Sequence, residues 1–460
     1  MSPFGFTPDD ENENGDKPED LSAMMQQMQE QIQKQFEAMG INPAGFTNPL
    51  AGLAGAFAGG STEVLPMNVV RDTAKKFIQA QGSEPIGVKD LTVVDNAFEI
   101  ADLWLNEATV FPATQSASSP RAVSRLDWAD ITLKGWHRTM EPLAIGLSSA
   151  ISTLLAEASQ EGFESSEAGE GLVAGLGAGL GAGGANPMAA MTGLLRTFIG
   201  SLLATQLGQA VGALSASATG AHDVGLPLLE PATPLLIPEN IEKWSAELEI
   251  PKSEIYLFHA LREAAIARLF EHNPWIVSYI RSAIVDYGRG IHIDMEAIQR
   301  QAEEAMQNFD PSQMNPESGE NSFTIALNNG IFTPGETPAQ RAALSKLETA
   351  LALVDGWADE VAALAAGERL PALPALREMY RRQRATNAPS QQLFKSLLGL
   401  EVTPKLAREA SAFWQKIREI KDISARDQIW SGILPSAAEL LEPEKFLTSA
   451  EIPDDLSGLL

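Results

Sequence analysis

The sequence predicts a mainly α-helical protein, with one large helical domain behind an acidic N-terminal arm. Three observations carry this reading. From about residue 65 onward apolar side chains recur at three- and four-residue steps, with no series of alternating strands. Helix start and stop signals punctuate the chain, above all at Thr337 and Gly367. At 460 residues and 44% apolar content the chain can bury a sizeable core.

Composition removes several function classes. There are no cysteines, so disulfides, thiolate metal sites and cysteine nucleophiles are excluded. Sixty Asp and Glu against 33 Lys and Arg give a net charge of −27, a field that repels nucleic-acid phosphate and anionic lipid. The opening "MSPFGFTPDDENENGDKPED" lacks the basic start and apolar stretch of a secretory leader, and the expected compartment is the cytoplasm.

Taken in order, residues 1–20 form an acidic tail too polar to bury anything, and disorder is expected there. In residues 21–40, Leu21, Met24, Met25, Met28, Ile32, Phe36 and Met39 build an apolar, Met-rich helical stripe that Gly40 ends. That stripe has two readings, docking onto its own domain or onto a peptide or protein partner. Residues 41–64, rich in Gly, Ala, Pro and Asn, read as a linker, 65–445 as the helical domain, and 446–460 as a C-terminal tail.

Within the domain, Ser124 with Asp127 marks a capped helix start, and Trp128 and Trp136 on nearly one face are core residues. Residues 171–184 form a glycine repeat to which no role is assigned. The stretch that follows is nearly uncharged, but Arg196, Gln206 and Gln209 interrupt it, so no membrane span is expected. Gly200, Ala204, Gly208, Gly212 and Ala216 instead form a ridge of small residues that lets another helix come close. Further on, Thr337 as N-cap, Pro338 in the first turn, Gln340 in a capping box and Gly367 as a stop define a helix of about eight turns. Gly356 near its middle is costly in a helix and predicts a close neighbour.

Residues 259–272 read "HALREAAIARLFEH". A helix capped by Ser253 would carry His259, Arg262, Glu263 and Ile266 on one side and Arg268, Glu271 and His272 on the other. Apolar residues fill both flanks, so one polar stripe is expected to line an interior or a cleft.

The stretches "SRLDWADITLKGWHRTMEPLA", "DVGLPLL", "YLFHALREAAIARLFEHNPWI", "GIFTPGETPAQRAALSKLETALALVDGWADEV" and "RRQRATNAPSQQLFKSLLGLEVTP" resemble, in that order, the zincin-like metallopeptidase type 2 family of bacterial proteins. The resemblance implies a helical zincin-like domain, zinc where the family activity is retained, and hydrolase chemistry. It places ligand histidines at Arg262 and Ile266, the general base at Glu263, and an acidic ligand at Asp355, with Asp359 one turn on. Both histidines are replaced. A guanidinium repels a cation and isoleucine has no lone pair, so no metal or other cofactor is expected and Glu263 reads as vestigial.

Two functional readings stand side by side. One is a non-catalytic relative that binds a peptide or protein partner through its cleft and residues 21–40, with Arg262 replacing the metal's charge by pairing with Asp355 or Asp359. The other is an active metal-dependent hydrolase with a shifted ligand set of His259, Glu263 and Asp355. The chain's five histidines, His137, His222, His259, His272 and His292, include no pair one helical turn apart. A plainer possibility leaves Arg262 and Glu263 as surface charges. Arg377, Arg381, Arg382 and Arg384 form a basic cluster open to a carboxylate, a phosphate, solvent, or the protein's own acidic residues.

Overall fold

The computed structural model describes residues 63–115, 121–160, 187–291, 337–398, 406–432 and 434–450. The expectations for residues 1–20, 21–40, 171–184, nearly all of 41–64 and 451–460 lie outside these described residues. The chain divides into two units. One, Met1–Ser61 with Glu161–Leu195, contains among the described residues only the first turns of a helix that starts at Pro187. The other, Thr62–Gln160 with Arg196–Leu460, is mainly helical among its described residues.

Its helices are α1 (Met67–Gln81), α2 (Val88–Ala108), α3 (Arg125–Gln160), α4 (Pro187–Ser215), α5 (Pro238–Trp244), α6 (Lys252–His272), α7 (Pro274–Arg289), α8 (Pro338–Ala366), α9 (Leu373–Asn387), α10 (Pro389–Leu398), α11 (Ala407–Ile420), α12 (Ile423–Gln428) and α13 (Pro443–Ala450). Among the described residues the only β pairing consists of isolated bridges joining Leu236 to Ala122 and Gly220. α13 carries helix past residue 445 to Ala450, into the segment expected to be a tail.

The start of α8 follows its sequence signals. The Thr337 hydroxyl accepts from the Gln340 amide at 3.2 Å, and the Gln340 side-chain oxygen accepts from the Thr337 amide at 3.1 Å. Each bond satisfies a donor that a helix start would otherwise leave unpaired. Gly367 ends the helix with φ of 49°, a conformation that glycine adopts without strain. At the start of α3 the Ser124 hydroxyl accepts from the Asp127 amide at 3.1 Å, and Trp128 and Trp136 are fully buried as expected. α6 starts one residue ahead of its expected cap, with Pro251 at the N-cap and Ser253 already helical.

α8 is the hub of the fold, packing against α11, α7, α6 and α2. The close neighbour that Gly356 predicts is α11. A Cβ at Gly356 would stand 2.6 Å from both the Ala410 Cβ and the Ser411 amide nitrogen. The ridge of small residues on α4 works in the same way against α1. A Cβ on Gly208 or Gly212 would meet Thr73 at 2.6 Å or Phe77 at 2.8 Å. No helix among the described residues is long and apolar enough to cross a membrane.

α6 runs through the middle, and all of its residues from Ile255 to Phe270 are buried. Both polar stripes therefore have to be satisfied inside the protein. Arg268, with no exposed surface, donates to Asn106 Oδ1 at 2.9 Å, to the Phe111 carbonyl at 3.2 Å and to Asp102 Oδ1 at 3.1 Å. It thereby bonds α6 to α2, while Arg262 of the opposite stripe reaches α8.

The Gly356 contact is tight enough to outweigh helix propensity. Gly356→Ala gains about 1 kcal/mol of propensity, but overpacking against α11 costs about 1–3 kcal/mol. We expect a net loss of up to about 2 kcal/mol in urea denaturation. A gain in stability would mean that α11 lies farther away.

Candidate functional site

Asp355 and Asp359 are one turn apart on α8 and share the face turned to α6. Arg262 reaches across to both. Its Nη2 donates to Asp355 Oδ1 at 2.5 Å, and its Nη1 lies 3.4 Å from Asp359 Oδ1. Arg262 is 4% exposed and Glu263 is 4% exposed, which rules out the surface-charge reading. Burial works against the Arg262 charge, but Tyr380, Asp355 and Asp359 together outweigh it and hold the guanidinium firmly protonated.

α9 closes the arrangement from one side. Arg377 forks onto Asp359, with Nε to Oδ1 at 3.0 Å and Nη2 to Oδ2 at 2.6 Å, and Arg381 adds a bond to Oδ2 at 2.7 Å. The Ser411 hydroxyl of α11 donates to the same oxygen at 2.8 Å. Burial alone would raise the Asp359 carboxyl, yet these bonds and the charges of Arg262, Arg377 and Arg381 hold it far below the usual carboxylate range. Tyr380 is stacked between two guanidinium groups, Arg262 at 4.1 Å and Arg384 at 4.7 Å from its ring centre. Arg384 ends on Asp223, which also accepts from the Tyr380 hydroxyl at 3.1 Å and the Thr219 amide at 2.9 Å. Burial opposes the Asp223 charge, but Arg384 and the Thr219 amide prevail and lower its pKa. All four arginines of the basic cluster are thus paired with the protein's own carboxylates, Arg382 with exposed Glu378.

Glu263 turns away from this network toward the loop between α4 and α5. Its carboxylate accepts from the amides of Ala221 at 3.0 Å, His222 at 3.1 Å and Leu235 at 3.3 Å, and His222 Nδ1 lies 2.8 Å from Oε1. A carboxylate oxygen makes Nδ1 the protonated nitrogen of His222. Gly220 belongs to the same cradle, since a Cβ there would come within 2.5 Å of Glu263 Oε2. His222 and Asp223 are site residues that the sequence reading missed. Nothing in their spacing marks them, because they lie on irregular chain more than forty residues from their partners.

His259 faces a small cavity lined by Thr219, Asp223, Leu236, Arg262, Glu263, Ile266 and Tyr380, with room for about one water molecule. Its ring makes edge contacts with Trp244 and Phe258, and its Nε2 finds no hydrogen-bond partner among the described residues. Burial, opposed by Asp223 and reinforced by Arg262 and Arg384, pushes the imidazole down to about 4.

Zinc does not fit this donor set. Both nitrogen-ligand positions lack a donor, Arg262 puts a fixed positive charge between the two acids of α8, and Asp355 already accepts from it. Glu263 is turned to the loop amides, so the shifted set of His259, Glu263 and Asp355 does not converge. No group of three His, Asp or Glu side chains suited to a metal ion occurs among the described residues.

Two consequences follow for stability. Asp359→Asn would leave three arginines facing a neutral amide, and removing one partner of a buried ion pair costs about 3–5 kcal/mol. We expect a loss of that order in equilibrium unfolding, whereas a loss under about 1 kcal/mol would mean that solvent already screens the network. His259 supplies the second. An unfolded histidine takes up a proton near pH 6.5, while the folded one does so near 4. The stability contributed by neutral His259 is therefore present above pH 6.5 and is lost as the pH falls toward 4, by at most about 3 kcal/mol. His259→Phe should flatten this part of the stability–pH curve, and an unchanged curve would show that another group carries it.

The model of the family described as zincin-like metallopeptidase matches residues 66–447. No curated protein matches the chain. A solved structure described as "Crystal structure of a putative hydrolase with a novel fold from Chloroflexus aurantiacus" is similar with a TM-score of 0.53 and 17% sequence identity, covering 84% of this chain and 100% of that one. Identity that low speaks for a shared fold and for no more. The match over residues 66–447 spans most of the 460 residues, and the chain belongs to the zincin-like metallopeptidase family.

Proposed function

We propose that this chain is a non-catalytic member of its family, in which an arginine has replaced the metal's charge. One observation carries the reading: the Arg262 guanidinium, at a ligand-histidine position of the family frame, spans Asp355 and Asp359 at 2.5 and 3.4 Å. Two buried carboxylates need a cation beside them, and a side chain provides one that chelation cannot remove.

The state of Glu263 supports the same reading. A general base needs a lone pair directed at a water that a metal has acidified. Here Oε1 already lies within hydrogen-bond reach of Ala221, His222 and Leu235, and Arg262 lies on the α8 side. The role assigned to Glu263 is to anchor the loop, and the protein's task is to bind a peptide or protein partner. With α9 in place the centre has room for about one water, so that partner has to engage the rim or displace α9. A cytoplasmic setting fits the absence of cysteine.

Metal content tests the proposal. We expect purified full-length protein, including protein from zinc-supplemented cultures, to contain far less than one zinc per chain by inductively coupled plasma mass spectrometry, and to stay folded in the presence of EDTA. Stoichiometric zinc that disappears in Glu263→Ala or Asp355→Ala would instead establish the hydrolase reading.

A further inference from the structure

The centre's charge balance depends on α9. Asp223, Asp355 and Asp359 supply three negative charges. Arg262 supplies one positive charge from beneath, and Arg377, Arg381 and Arg384, all on α9, supply the others. Were α9 to lift away, one guanidinium would face three carboxylates in a chain whose net charge is already −27. Such a floor has to recruit cations.

α9 is held by those charges and by a short seam of Leu373, Leu376, Met379 and Tyr380. Of its described side chains only Leu373, Leu376 and Tyr380 are buried, and Arg377 and Arg381 keep 24% and 34% of their side-chain surface in solvent. Partly hydrated ion pairs exchange partners more readily than an apolar seam separates, and they weaken with salt. The floor also has a vacant acceptor. His259 is 3% exposed and lines the cavity with Asp223 and Arg262, yet its Nε2 has no partner among the described residues. Burial keeps that ring neutral, so with Nδ1 protonated Nε2 can accept an N–H.

We propose that α9 is a displaceable lid whose arginines occupy, within the chain, a binding site for an arginine-rich segment of a partner protein. The acceptors of that site are Asp223, Asp355, Asp359 and His259 Nε2. Guanidinium is the fitting group because its planar fork matches a carboxylate in two-point contact, as Arg377 does on Asp359. The proposal rests on the non-catalytic reading only in taking the floor to be free of metal.

The test uses the full chain and a fluorescently labelled oligo-arginine peptide at physiological salt. Removing two of the competing arginines, Arg377→Ala with Arg381→Ala, should tighten peptide binding on the order of tenfold, a 1.4 kcal/mol change. Adding Asp359→Asn to that pair should reverse the gain. Equal affinity for all three proteins would overturn the proposal, because the peptide would then be held only by the general negative field. A second measurement needs no variant and so stands if the substituted chains fail to fold. In hydrogen–deuterium exchange of the unaltered protein, saturating peptide should speed exchange across residues 373–387. Unchanged or slowed exchange in that segment would also overturn the proposal. Zinc found in the same preparation would end the non-catalytic reading while leaving the exchange result to be judged by itself.

Discussion

The carboxylate of Asp359 is the constraint on which the rest of the centre depends. One side chain, 6% exposed, is contacted by an arginine from α6, two from α9 and a serine from α11. Four helices, α6, α8, α9 and α11, are thereby held to one point. Dispersion and burial bring helices together, but they are tolerant of sliding and rotation. An ionised carboxylate away from water is not, because each donor it loses leaves a charge unpaid at a cost of several kcal/mol. The register of α6, α8, α9 and α11 is therefore set by charge and their cohesion by apolar packing, which is densest where Gly356 admits α11.

Glu263 plays the matching part on the other side of α6. The chain between α4 and α5 is irregular, so its backbone amides need partners that no helix or strand supplies. Glu263 takes three of them, and Asn240 binds the carbonyls of Ser215 and Ala218 at 2.7 and 2.6 Å. Trp128 donates to the Gly220 carbonyl at 3.2 Å, and Leu236 bridges back to the chain ahead of α3. The loop is consequently tied to α3, α5 and α6 by side chains of Trp128, Asn240 and Glu263. It presents Asp223 at a fixed place, and Asp223 in turn receives Arg384.

How much of this was legible in the sequence depended on whether the signal was local. The ends of α8 could be read because Thr337, Pro338, Gln340 and Gly367 act on the backbone within a turn. Gly356 could be read because glycine inside a helix is a cost that needs a reason. Arg262, Asp355 and Asp359 were legible only through the family frame, since two residues 97 positions apart share no period. The Glu263–His222 and Asp223–Arg384 pairs carried no signal, as one partner of each lies on irregular chain and loop geometry follows from tertiary closure. The two stripes of α6 were legible as stripes, but that both are internal followed from packing, with Arg268 bonded to α2 and Arg262 bonded to α8.

A metal and a guanidinium can neutralise the same pair of acids, yet they leave different proteins behind. A metal keeps a coordination position for water and lowers that water's pKa, so its charge does chemistry. A guanidinium only donates hydrogen bonds, holds no water to activate and does not dissociate, so its charge can do no more than orient what surrounds it. Arg262 spends its donors on two carboxylates, and its guanidinium carbon lies 4.1 Å from the ring centre of Tyr380 on α9. In the non-catalytic reading proposed above, with a cation supplied from within, the acids of α8 no longer select for a metal. They select for further guanidinium groups, and α9 supplies Arg377 and Arg381 in the spacing of one helical turn that a single carboxylate can accept.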